Sequence, residues 1–430
     1  KLDQVNGLSP SVAHFTSALA VLQGQAAGTL KVKNNARTYY LAGVESNLTH
    51  KMKMGETDHK IDIGFRVHYD QIRRLQNATT YTQGVNGNIT SSSTNLLGDE
   101  GNKLQATTAL TLNVSDEIKY KKLTFTPGIR LEHINSYYTQ YDKSSAPDHS
   151  KLVAQGQEDW MVLVGGGSLK YDMYDDGNKD FDLFGSIHRG FSPPSPTGVI
   201  QNGQREESSI GTELGARYSN AKSAFSAEAV LFHTMIDDLI VVDSVGGSGG
   251  GTSTNAGKVR TQGVELQVTY DPGLAKNWSF QLPMYVAATY TDATFREDIS
   301  SDDQESIFIG AKKGNELPYI ANEVVSFGLG YIKNKFSANL DANYTAAVWA
   351  DGANLETEVN RETGVQDSRF GKIDSQFVVD AALGWRFNKN VRTFSSIKNL
   401  FDKQYMVSRQ PLGPRPGLPF TMMAGLEFNF

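Results

Sequence analysis

The sequence predicts an all-β protein, an antiparallel transmembrane β-barrel, from three observations. Residues 418–430 alternate between apolar and mostly polar side chains up to the terminal Phe430, as in a strand with one face toward lipid and the other toward a watery lumen. The 41 Gly, 18 Tyr and 21 Phe residues, with only 13 Pro, favour strands joined by turns. Short polar turns alternate with long loops along the chain. A soluble β-sandwich, the competing architecture, has no reason to segregate its loops by length in this way.

Composition excludes several other classes of protein. The net charge of −6 gives no reason to expect a nucleic-acid partner. The absence of cysteine excludes disulfides and thiolate metal sites. A hydrophobic content of 39% suits a barrel, which needs no long apolar run, and no stretch of about 20 apolar residues predicts a transmembrane helix. Residues 12–22 lack the basic flank of a signal peptide, so signal removal or truncation is expected if the protein is exported.

The first strands set the register of the predicted sheet. Residues 1–35 contain turn formers and are predicted as a loop with room for one short strand. Residues 36–51 are extended, and residues 61–70 then alternate clearly. Phe65 belongs to the apolar side of that alternation and Arg66 to the other side. Because an arginine on the lipid side costs about 2–4 kcal/mol at mid-depth, the charged side is expected to face inward.

The same unit repeats to the end of the chain. Further strands are predicted near 102–114, 119–142, 158–174, 180–190, 207–219, 223–242, 258–271, 278–296, 317–332, 335–346, 373–387, 391–400 and 418–430. Short turns are predicted at 115–117, 175–178, 219–222, 333–335 and 388–390. Long loops are predicted at about 75–101, 143–157, 191–206, 243–257, 297–316, 347–372 and 401–417. Aromatic residues cluster near the strand ends, as interfacial girdles require.

The strand count carries its own prediction. About 15 strands are obtained, whereas bacterial barrels close with an even number. If the short turns are periplasmic, the first and last strands both run inward. We therefore expect residues 1–430 to be the C-terminal portion of a larger barrel, with residues 1–35 as an extracellular loop. A sixteenth strand within residues 1–35 is the competing explanation.

Three stretches carry a family resemblance: HRGFSPPSP at 188–196, NAGKVRTQGVELQVTY at 255–270, and the segment from SSIKNLFDK to the end at 395–430. Together they resemble the β-barrel domain of TonB-dependent outer-membrane receptors. The PLGPRPGLP, RVHYDQIRRLQ and LTFTPGIRLEH segments are most similar to the ferric dicitrate transporter branch. The resemblance implies a 22-stranded barrel whose N-terminal plug, TonB-binding segment and first strands, about seven, are absent from this sequence.

Each motif also has a structural reading that we prefer. The prolines of GFSPP cannot donate ladder hydrogen bonds and should end a strand. Asn399 and Asp402 of NLFD are turn formers, and Gly263 of GVELQ should allow a bend or close packing against inward side chains. The motifs therefore identify the family without identifying the ligand.

Cations near the outer ends of inward faces, or in long loops, are the candidate ligand contacts. Arginine binds carboxylates in a two-point fashion, which suits an anionic iron–citrate complex. The candidates are Arg37, Arg73, Arg74, Arg205, Arg409 and Arg415. For each one, the alternative is a solvated or lipopolysaccharide-facing charge. Arg130, Arg217 and Arg386 lie lower on their strands and are expected to pair with lumen carboxylates.

Neither catalysis nor a resident cofactor is predicted. The eight histidines lack metal-ligand spacing, and no hydrolase or nucleotide-binding motif is present. The acidic run at 297–305 is interpreted as a solvated charge run in preference to a divalent-cation site.

The predicted function is an outer-membrane receptor of a Gram-negative bacterium that binds an iron chelate, ferric citrate-like or another siderophore. It would import the chelate with energy from TonB and contact outer-membrane lipid and lipopolysaccharide. The alternatives are a passive porin of about 16 strands and an outer-membrane hydrolase, for which no nucleophile–base pair is identified.

Overall fold

A computed structural model describes residues 20–142, 151–242, 253–255, 257–299, 307–308, 310–359, 364, 366–410 and 413–429. The strands, in chain order, are β1 (Gly28–Asn34), β2 (Arg37–Met54), β3 (Thr57–Gln83), β4 (Ile89–Thr94), β5 (Gly101–Tyr120), β6 (Leu123–Tyr141), β7 (Leu152–Asp175), β8 (Lys179–Ser192), β9 (Glu207–Asn220), β10 (Phe225–Asp237), β11 (Ile240–Val242), β12 (Ser253–Asn255), β13 (Val259–Tyr270), β14 (Met284–Phe295), β15 (Glu323–Lys333), β16 (Phe336–Thr345), β17 (Val348–Trp349), β18 (Lys372–Ile373), β19 (Gln376–Arg386), β20 (Val391–Lys398), β21 (Met406–Ser408), β22 (Arg415–Pro416) and β23 (Thr421–Phe428). Residues 20–22 are helical, and two further short helices are α1 (Pro196–Asn202) and α2 (Pro272–Ala275). None of the described helices is long and apolar enough to cross a membrane.

The main sheet contains 17 strands, and its long strands form one antiparallel meander. From β2 to β23, each long strand pairs with the next long strand along the chain. β1 and β4 are the exceptions, because both pair with the far end of β3. Each long strand predicted from the sequence therefore has a counterpart. The turn predicted at 115–117 is wrong, because β5 continues to Tyr120 and the chain turns at residues 121–122. Among the described residues β2 and β23 each pair on one side, so closure into a 22-stranded barrel stays a prediction.

The sheet has two chemically different faces. Phe65 pairs with Leu112, Leu112 with Leu131, and Leu131 with Leu163, and all four side chains are exposed. We call the face that carries this line the apolar face. One position along, Arg66 pairs with Thr111 and Thr111 with Glu132 on the opposite side, which we call the polar face. Arg66 thus lies where the predicted register places it, because successive side chains of a strand point to opposite faces.

The last strand follows its predicted pattern. Met422 pairs with Ile397, and Leu426 pairs with Thr393, on the apolar face. Glu427 pairs with Arg392 on the polar face, where their charged groups approach to 3.7 Å. The terminal Phe430 lies outside the described residues, as do parts of the predicted loops at 143–157, 243–257, 297–316, 347–372 and 401–417.

Two ends of the sheet differ in their connections. Short turns join β2 to β3, β5 to β6, β7 to β8, β9 to β10, β15 to β16 and β19 to β20, and we call this the short-turn end. The opposite, long-loop end carries the longer connections. The predicted long loop at 75–101 is wrong in part, because β3 runs to Gln83 and β4 occupies 89–94. The end of β3 contains Thr79, Thr80, Tyr81 and Thr82, and β4 contains Thr90 and Thr94; these residue types favour strands even where neither face is apolar.

The connection between β13 and β14 also differs from the prediction. The strand expected at 278–296 begins only at Met284, because residues 271–283 form a turn that contains α2. Asp271 caps this helix through its carboxylate, and Pro272 occupies the first helical position. The strand expected from 317 likewise begins at Glu323.

Ion pairs and close packing fill the polar face away from its ends. Arg130 pairs with Glu132, and Arg217 pairs with Glu228, as predicted. Arg386 lies directly opposite Arg392 and makes no ion pair with any described residue, so its predicted carboxylate partner is not found. Gly263 also behaves as predicted. A Cβ there would meet the backbone carbonyl of the neighbouring strand and come within 2.7 Å of the Phe232 ring.

Candidate ligand-binding site

A row of three cations crosses the polar face at the long-loop end. Arg37 of β2 lies directly opposite Arg74 of β3, and Arg74 lies directly opposite Lys103 of β5. Directly opposed residues have Cβ atoms about 4.5–5.5 Å apart, and like charges in such pairs destabilise a sheet. We call these three residues the basic row. The row concentrates positive charge at the long-loop end of the polar face.

The positive charge continues beyond the basic row. Lys31 and Lys33 of β1 lie on the same polar face as Arg74. Their partners on β3, Thr80 and Ala78, are six and four residues from Arg74, and residues an even number apart in a strand point to the same face. Glu100 is bound by both lysines, at 2.6 Å from the Lys31 Nζ and 3.7 Å from the Lys33 Nζ. The hydrogen bond from Lys31 is the main cause that lowers the pKa of Glu100, so this carboxylate is ionised at neutral pH. Because one carboxylate pairs with two lysines, these three residues together keep a net positive charge.

The loop after β8 folds over the polar face beside the basic row. β8 ends at Ser192 before two prolines, as predicted for the GFSPP motif. Ser195 then caps α1, with its Oγ accepting a hydrogen bond from the Gly198 N–H at 3.1 Å. The Gln105 amide donates to the Thr197 hydroxyl at 2.8 Å, and Gln105 lies two positions from Lys103 on the same face. Thus α1 forms a wall of the site below the row.

Arg73 and Arg74 are separated by the pleat of β3. Both lie at the long-loop end, as expected, but neighbouring residues of a strand point to opposite faces. Arg73 lies on the apolar-face side, with its guanidinium 5.0 Å from the centre of the Tyr141 ring and donating to Asn102 Oδ1 at 2.7 Å. Of these two candidates, only Arg74 joins the basic row.

Arg409 belongs to the long loop before β23 and packs against the long loop before β19. Its side chain is only 9% exposed, and its guanidinium donates to Glu358 at 2.7 Å and to the Lys372 carbonyl at 3.1 and 3.2 Å. The backbone N–H groups of Arg409 and Gln410 donate to the Tyr319 hydroxyl at 3.3 and 3.0 Å. These contacts make Arg409 a residue that positions three loops, with its charge directed into the protein.

The same loops contain other polar anchors that sequence reasoning missed. The Trp349 indole donates to Glu316 at 2.7 Å. Asp351 is fully buried and accepts from the Gly371 N–H at 3.3 Å, and burial raises the pKa of its carboxyl. Asn399, predicted as a turn former, has positive φ and donates to two backbone carbonyls at 2.8 and 2.9 Å. Only the contact of Asn399 with Lys403 is local, as its prediction as a turn former implies; the other partners are 19 to 33 residues apart, so no local signal could have revealed them.

The remaining candidates lie at the surface. Arg205 is exposed just beyond α1, and Arg415 is exposed in β22, opposite Ser408. Among the described residues, no three His, Asp or Glu side chains converge on one point with metal-binding geometry. The structure therefore brings together Arg37 and Arg74, adds Lys103, and leaves the other four candidates elsewhere.

A family model described as TonB dependent receptor-like, beta-barrel, matches residues 6–400. Among solved structures, the unliganded ferric citrate transporter FecA is 20% identical with a TM-score of 0.68, over 93% of this chain and 57% of that one. The siderophore receptor PiuA from Acinetobacter baumannii is 14% identical with a TM-score of 0.68, over 93% and 57%. The closed form of the ferric-catecholate import receptor Fiu from K12 E. coli is 17% identical with a TM-score of 0.66, over 92% and 55%. At these identities the likeness concerns the fold, and this chain spans 57% of the length of FecA.

Proposed function

The chain belongs to the TonB-dependent receptor-like β-barrel family, and from this premise we propose that it forms the barrel wall of an outer-membrane receptor for an anionic iron chelate. The receptor would import its ligand into a Gram-negative bacterium with energy from TonB. The apolar face would contact the membrane lipid, with lipopolysaccharide around its long-loop end, and the polar face would line the lumen. The family consists of transport receptors, and no catalytic step is proposed.

The basic row is the observation that carries this proposal. Ferric citrate-type chelates expose carboxylates, and a guanidinium binds a carboxylate through two parallel hydrogen bonds. Arg37 and Arg74 offer two such groups on adjacent strands, and Lys103 adds a compact third charge. An anionic chelate at this position would also offset the repulsion between the cations. The row therefore supports an anionic cargo, with ferric dicitrate as the first candidate and other anionic siderophores as the next.

Energy coupling follows from the demands of capture. A scarce solute must be bound tightly, and tight binding is achieved mostly by slow release. Passive release into the periplasm would then be too slow for uptake, so work must be supplied from the periplasmic side. The passive porin of about 16 strands, considered from the sequence, gains no support from the family.

Uptake of ferric dicitrate with radioactive iron tests the proposal. Cells that express the receptor are expected to take up the label in a saturable way only when TonB is present. The Arg37→Gln, Arg74→Gln double variant should lose most of this uptake, and Arg73→Gln should keep it. Uptake that rises linearly with concentration and continues without TonB would instead establish the porin. Parallel assays with a neutral hydroxamate chelate and a catecholate chelate would show whether the anionic charge sets the preference.

A further inference from the structure

An aromatic ladder runs along the short-turn end of the sheet. The Trp278 and Phe280 rings lie 5.2 Å apart, and Phe280 lies 5.2 Å from Tyr331. Phe336 lies 6.2 Å from Tyr331 and 6.2 Å from Trp385. Tyr331, Phe336 and Trp385 belong to the apolar face of three neighbouring strands. Amphipathic rings at strand ends mark the level of lipid headgroups, so the ladder places this end of the sheet at a membrane surface.

The ladder begins on the 271–283 turn, which is built more firmly than an ordinary loop. The Asp271 carboxylate accepts hydrogen bonds from the N–H groups of Gly273 at 2.8 Å and of Leu274 and Leu282 at 3.0 Å. Gln281 and Ile332 exchange two backbone hydrogen bonds of 2.9 and 3.0 Å, which attach the turn to β15. The turn therefore holds its exposed side chains in fixed positions.

A cleft of about 470 Å³ lies between this turn and the end of β15, and we call it the α2 cleft. Its apolar lining includes Leu274 and Trp278, which are 52% and 42% exposed, and the partly buried Phe280. Lys276 extends its Nζ to 5.9 Å from the centre of the Trp278 ring. The exposed Lys333 lies two positions from Tyr331 on the same face of β15, and the Tyr331 ring contacts Phe280. Asp271 is the one acidic residue in 271–283, and its carboxylate is directed to backbone amides. The cleft thus mixes apolar side chains with polar ones such as Asn277 and Asn334, and the two lysines lie beside it.

We propose that the α2 cleft binds a phospholipid with an anionic headgroup, such as phosphatidylglycerol, in the periplasmic leaflet of the membrane. The acyl chain would lie over Leu274 and Trp278, and Lys276 and Lys333 would contact the phosphate. Lysine suits this role, because it binds phosphate as a point charge and attracts anionic lipid near a membrane surface. The proposal rests on the membrane orientation given under the proposed function, with the short turns on the periplasmic side.

The test uses the purified receptor in a zwitterionic detergent, titrated separately with dansyl-labelled phosphatidylglycerol and phosphatidylcholine. Energy transfer from tryptophan to the dansyl group reports binding. Phosphatidylglycerol is expected to bind at least about tenfold more tightly. Each of Lys276→Gln and Lys333→Gln should weaken its binding about fivefold, with little effect on phosphatidylcholine.

Lys121→Gln is the matched control. Lys121 also lies over an aromatic ring, 4.9 Å from the centre of Tyr120, but on a short turn between β5 and β6. Its substitution should leave both affinities unchanged. Equal affinity of the wild-type receptor for the two lipids would overturn the proposal, and so would an equal loss in Lys121→Gln. Binding of ferric dicitrate, measured on the same preparations, should not respond to any of these substitutions. A wild-type receptor that binds ferric dicitrate but shows no preference between the two lipids would therefore refute the α2 cleft proposal and leave the proposed function standing.

Discussion

Replacing Arg74 by glutamine should weaken the binding of ferric dicitrate without weakening the fold. Hydrogen bonds to charged groups contribute about 1.5–3 kcal/mol, so losing one guanidinium should raise the Kd about 10- to 150-fold. Arg74 lies between Arg37 and Lys103, and like charges directly opposite each other destabilise a sheet. Removing the central charge relieves two such pairs, so the free energy of unfolding should stay equal or rise.

Two measurements on the same purified protein check this expectation. Titration with ferric dicitrate gives the Kd, and thermal unfolding gives the midpoint temperature. Arg37→Gln should give a similar loss of affinity, and the double variant should lose less than the sum, because both residues contact one ligand. Arg74→Lys keeps the charge but not the planar fork, so its affinity should fall between those of the wild type and Arg74→Gln.

Arg73→Gln is the control, because it removes the neighbouring charge from the opposite face of β3. Its Kd is expected to stay within about twofold of the wild type. The reasoning fails if Arg73→Gln costs as much affinity as Arg74→Gln. It also fails if Arg74→Gln lowers the unfolding midpoint together with the affinity, since the row would then stabilise the fold instead of the ligand.

Three further substitutions test the structure. Gly263→Ala should lower the free energy of unfolding by about 1–3 kcal/mol, because a Cβ there meets backbone on the neighbouring strand; retention of the wild-type midpoint would contradict the close packing. Arg409→Met should raise the rate of protease cleavage in the long loops at least about tenfold, since each lost hydrogen bond from the charged group is worth about 1.5–3 kcal/mol; exposed Arg415→Met should leave that rate unchanged. A hydrogen bond from the Tyr174 hydroxyl, helped by two backbone N–H groups, lowers the pKa of Asp176 to about 2. The ionised Asp176 carboxylate therefore stabilises the fold fully above the ordinary carboxyl pKa of about 3.9, and this contribution is lost as the pH falls toward about 2. The unfolding midpoints of wild type and Asp176→Asn should converge over that pH interval.

The strands were predictable because their signals are local. Alternation assigns each residue to a face, and short polar turns mark where the chain reverses, so Met422 and Leu426 were placed on the correct face of β23. The same rule misjudged β3, which continues to Gln83 through residues that are polar on both sides. Polar residues with high strand propensity look like a loop when only hydrophobic periodicity is considered.

The candidate site was only partly predictable, because its assembly depends on long-range contacts. Sequence placed Arg37 and Arg74 at the correct end of their strands, but the choice of facing residues came from the register between β2 and β3. Lys103 was missed, since only the pairing of β3 with β5 brings it beside Arg74. Arg409 looked like a free loop cation, whereas its backbone bonds to Tyr319, 90 residues earlier in the chain. No pattern within a single segment encodes such a contact.

The distribution of charge along the polar face explains where an anion would be held. Arg130 and Arg217, in the body of the wall, have carboxylate partners, and Lys398 pairs with Asp380 at 2.7 Å. The basic row places three cations side by side at the long-loop end, and clustered charge of one sign attracts ions of the other. The proposed site for an anionic chelate therefore lies at one level, the long-loop end. A passive channel needs binding that is weak or spread over several sites, so that the solute can leave. A single strong site favours capture, and inward release then requires work, which is the role proposed for TonB.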